Sequence, residues 1–138
     1  MLQPRIQTPE PDALDLTTEA SRAQLAPVIM RLFERWGLDT AQQLNLLGLS
    51  STSRSMLSKY RQGAAVPGTR DSLDRIGWLL ATHKALRLLY PFNETLRYTW
   101  IQHRHSAFGE RTPLEVMIEG GLIGIARVAR YLDWQRGR

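Results

Sequence analysis

The sequence predicts an all-α protein, and three observations support that fold class. Apolar residues recur at helical spacing along most of the chain between Leu25 and Leu132. Glycine, proline or small polar residues stand where each apolar run begins or ends. No run of alternating apolar and polar residues indicates a strand. The chain has 138 residues, of which 43% are hydrophobic, so it suits one compact domain or two small lobes that share a core.

The first element is a helix that follows a proline-rich leader. Residues 1–16 hold three of the seven prolines and little apolar periodicity, so we expect a flexible leader there. Leu25 to Trp36 then form an apolar stripe with helical spacing, and Gly37 is placed to end the helix. Pro27 predicts either a kink or the first turn.

Two short helices come next. Asp39 is expected to cap the second helix, which Gly48 ends. The third lies within "SSTSRSMLSKYRQG", where Leu57 and Tyr60 anchor one face and Gly63 follows as the stop.

The fourth helix is long and apolar around most of its circumference, which is typical of a buried helix. It starts at Thr69 or Asp71 and reaches about Leu89, so we interpret it as a spine between two lobes. Pro91 follows its end, and Asn93 caps a fifth helix.

The stretch "GERTPLEVMIEGG" predicts a sharp corner between two helical arms. Thr112, Pro113 and Glu115 form a capping box with proline at the first helical position. The glycine pair 120–121 permits positive φ and ends this arm after about two turns. A last helix then runs to about Leu132.

Helices two and three have the order of a helix-turn-helix, whose second helix enters the major groove of DNA. Hydroxyl, Arg and Lys side chains would contact phosphates and base edges. The candidate DNA-binding residues are Ser51, Thr52, Ser53, Arg54, Ser55, Ser58, Lys59 and Arg61.

The charge of the chain agrees with an anionic partner. Lys and Arg exceed Asp and Glu by five, and no acidic residue interrupts Asn45 to Gly68. If each half-site neutralises ~3–4 phosphates, log affinity should fall with log salt at a slope of about −3 per subunit. A lone lobe would bind weakly, so we expect a dimer on a palindromic site. The alternative is a three-helix lobe used only for packing or dimerisation.

Composition and spacing favour a binding protein over an enzyme. The chain has no cysteine, which excludes disulfides and thiolate chemistry. The pair His103 and His105 lacks a third ligand, so we predict neither a metal site nor a cofactor. With no apolar run long enough for a signal peptide or a membrane span, we expect a soluble, cytoplasmic protein.

The last third of the chain resembles the C-terminal toxin-binding domain of the Xre/MbcA/ParS antitoxin family. The resemblance rests on Trp100, the pair Phe108-Gly109, the run "RTPLE" from Arg111, and the glycine pair 120–121, in that order. Glu110 departs from the family's usual second glycine. The resemblance implies an antitoxin that binds a RES-type, NAD-consuming toxin, blocks its NAD pocket, represses its own operon and dimerises through its helical N-terminal part.

The implied toxin-binding surface includes the end of the chain, because Trp and Arg often dominate interface energies. We predict that Trp134 and the C-terminal arginines lie at the entrance of the toxin's active site. The candidate toxin-binding residues are Phe108, Arg111, Arg127, Arg130, Trp134, Arg136 and Arg138.

The predicted organisation has three parts: a leader over 1–16, a helix-turn-helix and dimerisation domain over 17–90, and a toxin-binding domain with its tail over 91–138. The alternative function is a stand-alone transcriptional regulator, in which the C-terminal lobe senses another signal or only dimerises.

Overall fold

The computed structural model describes residues 15–137 and confirms the all-α fold class. That part of the chain contains no strand, and its one β-bridge joins His105 to Arg111. The α-helices are α1 (Glu19–Arg35), α2 (Thr40–Leu47), α3 (Arg54–Arg61), α4 (Arg70–Leu89), α5 (Glu94–Thr99) and α6 (Pro113–Arg136). Two 3-10 turns, Trp100–Gln102 and Ser106–Phe108, connect α5 to α6. Within the described part, none of the helices combines the length and apolarity that crossing a bilayer requires.

Most helix starts follow the predicted capping residues. The side chains of Asp39, Thr69, Asn93 and Thr112 each accept a backbone N–H from the first turn of the helix that follows. These bonds satisfy amide groups that have no partner inside the helix. The sequence left the fourth helix starting at Thr69 or Asp71, and the structure selects Thr69.

The start of α1 is earlier than the apolar stripe suggests. Thr18 caps the helix by accepting the Ser21 N–H at 3.2 Å. Pro27 therefore lies inside the helix instead of marking its first turn. Of the predicted leader, only Asp15 and Leu16 belong to the described residues, so its other positions lie outside them, as does Arg138.

The hydrophobic core is one continuous cluster. It takes buried side chains from α1, α2, α3, α4 and α6, and α5 contributes none. Helix α6 packs mainly against α4 and also against α2. Helix α2 and the C-terminal helix α6 therefore share a boundary, and α4 lies against both.

Candidate functional site

One candidate surface is the exposed face of α3. Arg54, Ser55, Ser58, Lys59 and Arg61 are all exposed. The opposite face of α3 is anchored in the core. Within residues 15–137, none of the three cations forms an ion pair with a carboxylate. Cations and hydroxyls arranged in this way can bind phosphate oxygens and the edges of bases.

Three of the candidate DNA-binding residues, all with hydroxyl side chains, lie in a turn before α3. Ser51, Thr52 and Ser53 belong to the turn at 48–53, which precedes α3. Gly48 ends α2 in the left-handed region, with φ of 72°. Ser50 then forms a local turn, because its hydroxyl accepts the Thr52 N–H at 3.2 Å and its carbonyl accepts the Ser53 N–H at 2.9 Å. Such local hydrogen bonds compete with helix formation.

The predicted corner exists in α6. Thr112 and Glu115 form the capping box, with the Thr112 hydroxyl accepting the Glu115 N–H at 3.0 Å and the Glu115 carboxylate accepting the Thr112 N–H at 2.9 Å. The hydrogen bonds from Thr112 lower the pKa of Glu115. Gly121 then breaks the helical path with φ of 60° and ψ of −144°, a conformation that only glycine adopts readily.

A second glycine lets the two arms of α6 meet closely. Gly124 is buried, and a Cβ atom added there would overlap the Val116 carbonyl oxygen and lie 3.1 Å from its carbonyl carbon. Real Cβ atoms essentially never approach this closely. Only a residue without a side chain fits here, so the corner is a tightly packed element.

The second arm of α6 presents a mixed apolar and cationic face, which we call the outer face. It consists of Ile123, Arg127, Arg130 and Trp134, whose spacing of four, three and four residues places them on one side of a helix. Ile123 is 81% exposed and Trp134 is 58% exposed. Both arginines are exposed as well. The structure thus brings together three of the predicted toxin-binding residues and adds Ile123.

Aromatic packing positions the exposed indole of Trp134. Its ring centroid lies 6.0 Å from that of Tyr131, which lies 5.1 Å from Phe108 and 6.4 Å from Trp100. The Tyr131 hydroxyl also accepts a hydrogen bond from Gln135 at 2.6 Å. Contacts of this kind fix ring geometry, so Trp134 is held by the core although most of its surface is exposed.

Phe108 differs from the other predicted residues because its ring is buried. Only 3% of its surface is exposed, and the ring packs edge-on against Tyr131. The Arg127 guanidinium lies 5.3 Å above the same ring. In the described structure the ring therefore has almost no exposed surface and supports the outer face from below.

Comparison with known proteins identifies this C-terminal region. The family model of the antitoxin Xre/MbcA/ParS C-terminal toxin-binding domain matches residues 85–138. The chain belongs to the Xre/MbcA/ParS antitoxin family. The uncharacterized protein y4oB of Sinorhizobium fredii is 35% identical over 108 residues, which cover 78% of this chain and 80% of that protein. No solved structure matches the chain.

The exposed apolar surface of this antitoxin is concentrated in its toxin-binding domain. Of the five large apolar side chains exposed within residues 15–137, Val28 alone lies outside the matched region. The other four are Leu88, Phe92, Ile123 and Trp134. The sequence analysis identified only Trp134 among them. Ile123 could also have been identified as an exposed apolar residue from the sequence, because its spacing of four residues from Arg127 places both on the same side of the helix.

Two further predicted arginines of the antitoxin, Arg111 and Arg136, each pair with an acidic residue. Arg111 pairs with Glu119, which lies in the first arm of α6. Arg136 pairs with Asp133 at 3.1 Å near the end of α6. Both pairs are partly exposed, and such pairs contribute little to stability. In the free antitoxin both guanidinium groups therefore lie beside a carboxylate of the same chain.

Another group of cations has a structural role at the end of α4. Arg97 donates to the Tyr90 carbonyl at 3.1 Å, where a positive charge suits the C-terminal end of the helix dipole. Burial, together with the nearby charges of Arg87, Arg97 and Arg35, lowers the pKa of His83 to about 4. His83 is therefore neutral at physiological pH. The positive charge at the C-terminal end of α4 comes from the surrounding arginines instead.

Proposed function

We propose that this antitoxin neutralises a RES-type, NAD-degrading toxin through the outer face of α6 and the adjoining C-terminal tail, and that it represses its own operon through α3. The observation that carries the proposal is the outer face itself. Ile123 and Trp134 stand at its two ends with two arginines between them, inside a domain of known toxin-binding type.

The chemistry of the outer face indicates the surface that it fits. Arg127 and Arg130 require acidic groups on the partner, and the two apolar ends require sockets that exclude water. Trp134 is the expected anchor, since a rigid, exposed indole loses little conformational entropy on binding. Truncating an anchor of this kind costs about 2 kcal/mol or more.

Blocking of the NAD pocket is assigned to the end of α6 and the residues after it. Trp134, Arg136 and Arg138 follow one another at this end of the chain. A pocket that binds pyrophosphate and nicotinamide can accept an indole or a guanidinium. The antitoxin would thereby compete with NAD for the toxin.

The test is co-expression with a RES-type toxin encoded beside this gene, followed by measurements of growth and cellular NAD. Trp134→Ala should weaken the purified complex by about 30-fold, as ~2 kcal/mol implies. Arg130→Glu should weaken it as well. Arg31→Glu places the same charge reversal on the exposed surface of α1 and is the matched control. Equal affinity for all four proteins would contradict the assignment of the outer face.

Repression is supported by the basic surface of α3. Binding of a labelled fragment from upstream of the gene should show a salt slope of about −3 per subunit. Arg54→Ala should reduce the magnitude of that slope by about 1. Arg70→Ala is the control, because Arg70 is exposed but pairs with Asp74 at 3.8 Å. Absence of DNA binding together with intact toxin binding would leave an antitoxin that does not regulate transcription.

We also infer a homodimer that forms through the helical N-terminal part. Val28 on α1 is the one large exposed apolar side chain of residues 15–137 outside the toxin-binding domain, which supports a contact there. Sedimentation should give twice the monomer mass, and Val28→Glu should lower it. A monomer at micromolar concentration would refute the dimer.

A further inference from the structure

The tip of the loop before α6 carries a glutamate in a conformation that favours glycine. Glu110 has φ of 65°, and within residues 15–137 it is the one residue other than glycine with positive φ. Gly109 before it also has φ of 65°, and the Arg111 N–H donates to the Phe108 carbonyl at 3.2 Å. These four residues thus form a type I′ turn, whose two central positions both favour glycine or asparagine.

Hydrogen bonds hold this turn from both sides. The Glu110 N–H donates to the His105 carbonyl at 3.0 Å, and the His105 N–H donates to the Arg111 carbonyl at 3.1 Å. The exposed side chain of Glu110 therefore extends from a fixed backbone. Strained residues persist where the surrounding structure enforces them, and they cluster at functional sites. The strain at Glu110 thus points to a role for its carboxylate outside the fold.

Glu110 is also the one acidic residue of the toxin-binding domain that has no partner within residues 15–137. Its neighbour Arg111 pairs with Glu119 instead. Three acidic residues of the domain pair with arginines, and a fourth belongs to the capping box of α6. These partnered residues are Glu94, Glu119, Asp133 and Glu115.

The turn adjoins the outer face through Phe108. The Arg127 guanidinium lies 5.3 Å above the Phe108 ring, and Glu110 follows Phe108 by two residues in the same hydrogen-bonded loop. An unpaired carboxylate therefore stands beside a surface that presents two arginines. A surface with charges of both signs discriminates between partners, because a like charge placed opposite either one lowers affinity.

We propose that Glu110 binds a lysine or arginine side chain of the toxin and thereby selects the cognate partner. This inference rests on the proposed function, since it requires a toxin on the outer face. Arg127 and Arg130 attract acidic surfaces in general, whereas Glu110 adds the requirement for a cation at one position beside them. A toxin with an acidic group at that position is repelled.

The affinity of the purified RES-type toxin, measured by calorimetry, and the Tm of the free antitoxin together test this role. Glu110→Gln keeps the backbone conformation and removes the charge, so it should weaken the complex by ~5-fold at low salt with Tm unchanged. The loss should shrink below about 2-fold at about 0.5 M salt, because salt screens exposed charges. Glu110→Gly should weaken the complex as much, although its Tm should rise by roughly 2–3 °C.

Opposite changes in stability and affinity distinguish a contact with the toxin from a structural role. Glu34→Gln is the matched control and should keep wild-type affinity, since Glu34 is an exposed glutamate of α1 that forms no ion pair within residues 15–137. Wild-type affinity in Glu110→Gln, or tighter binding by Glu110→Gly, would overturn the contact. The proposed function would survive that result if Trp134→Ala weakens the complex in the same assay, whereas failure of any complex to form would overturn both.

Reversal of the charge tests the selection of the partner. Glu110→Lys should weaken binding of the wild-type toxin by roughly 10-fold or more. When the exposed lysines and arginines of the toxin are changed to glutamate one at a time, one variant should bind Glu110→Lys more tightly than it binds the wild-type antitoxin. A complete set of such reversals that never restores affinity would overturn the assignment of Glu110.

Discussion

The close contact at Gly124 makes Gly124→Ala the sharpest test of how α6 is built. The added methyl group would overlap the Val116 carbonyl oxygen and lie 3.1 Å from its carbonyl carbon and 3.5 Å from Met117 Cα. These are backbone atoms of a capped helical arm, so no side chain can rotate away. The two arms must instead separate by about 1 Å to restore ordinary contact.

Separation of the arms disturbs well-packed residues. Val116, Met117, Ile125 and Val128 are at most 2% exposed, so any movement opens space among them. Overpacking of this kind typically costs ~1–3 kcal/mol, and rigid backbone on both sides places Gly124→Ala at the upper end, about 3 kcal/mol. For a domain of this size, that lowers Tm by roughly 10 °C.

Thermal unfolding followed by circular dichroism measures this effect. Gly77→Ala is the control, because Gly77 is an exposed position inside α4 where an added Cβ atom would meet no neighbouring group within 4 Å. It should stabilise the fold by ~0.5–1 kcal/mol through helix propensity. A Tm for Gly124→Ala within about 2 °C of wild type, as roughly 0.5 kcal/mol would give, would refute the close packing of the corner.

Three further predictions concern the C-terminal loop and α4. Glu110→Gly should raise stability by ~0.5–1 kcal/mol in urea unfolding, because Glu110 has φ of 65° and glycine adopts that conformation without strain; a loss of stability would contradict this. Thr112→Ala should cost ~1 kcal/mol by removing the cap of α6, while Thr95→Ala, on exposed α5, should cost less. His83→Phe should flatten the pH dependence of stability. In the folded protein the pKa of His83 is lowered to about 4. In the wild type, protonation of His83 in the unfolded chain therefore destabilises the fold as pH falls from about 6.5 towards 4. Unfolding midpoints between about pH 7 and pH 5 should therefore decline less in His83→Phe, and parallel curves would exclude His83 as the cause.

The sequence predicted local features well because local chemistry determines them. A capping residue acts on amides two or three positions away, so Asp39, Asn93 and Thr112 could be assigned from spacing alone. The bend at Gly121 followed from the glycine pair in the same way. All-α architecture then followed from the pattern of apolar residues and helix ends.

Contacts between distant segments could not be predicted. Gly124 is required by Val116, which lies across the corner, and no spacing rule reports such an approach. Arg75 donates to the Asn45 carbonyl in the last turn of α2, yet in the sequence it is one arginine of a long helix. The length of the turn before α3 depends on Ser50, whose hydroxyl and carbonyl accept local hydrogen bonds that compete with the helix.

Two variants of α6 separate the stability of the fold from its affinity for the toxin. One changes the outer face, and the other changes the corner that supports it. Trp134→Ala removes exposed surface, so it should weaken toxin binding while Tm stays nearly unchanged. Gly124→Ala should lower Tm and also weaken binding, because the outer face moves with its arm. Should Gly124→Ala keep full toxin affinity despite a large drop in Tm, the outer face would not depend on the corner geometry, and the rigid docking surface proposed for it would have to be abandoned.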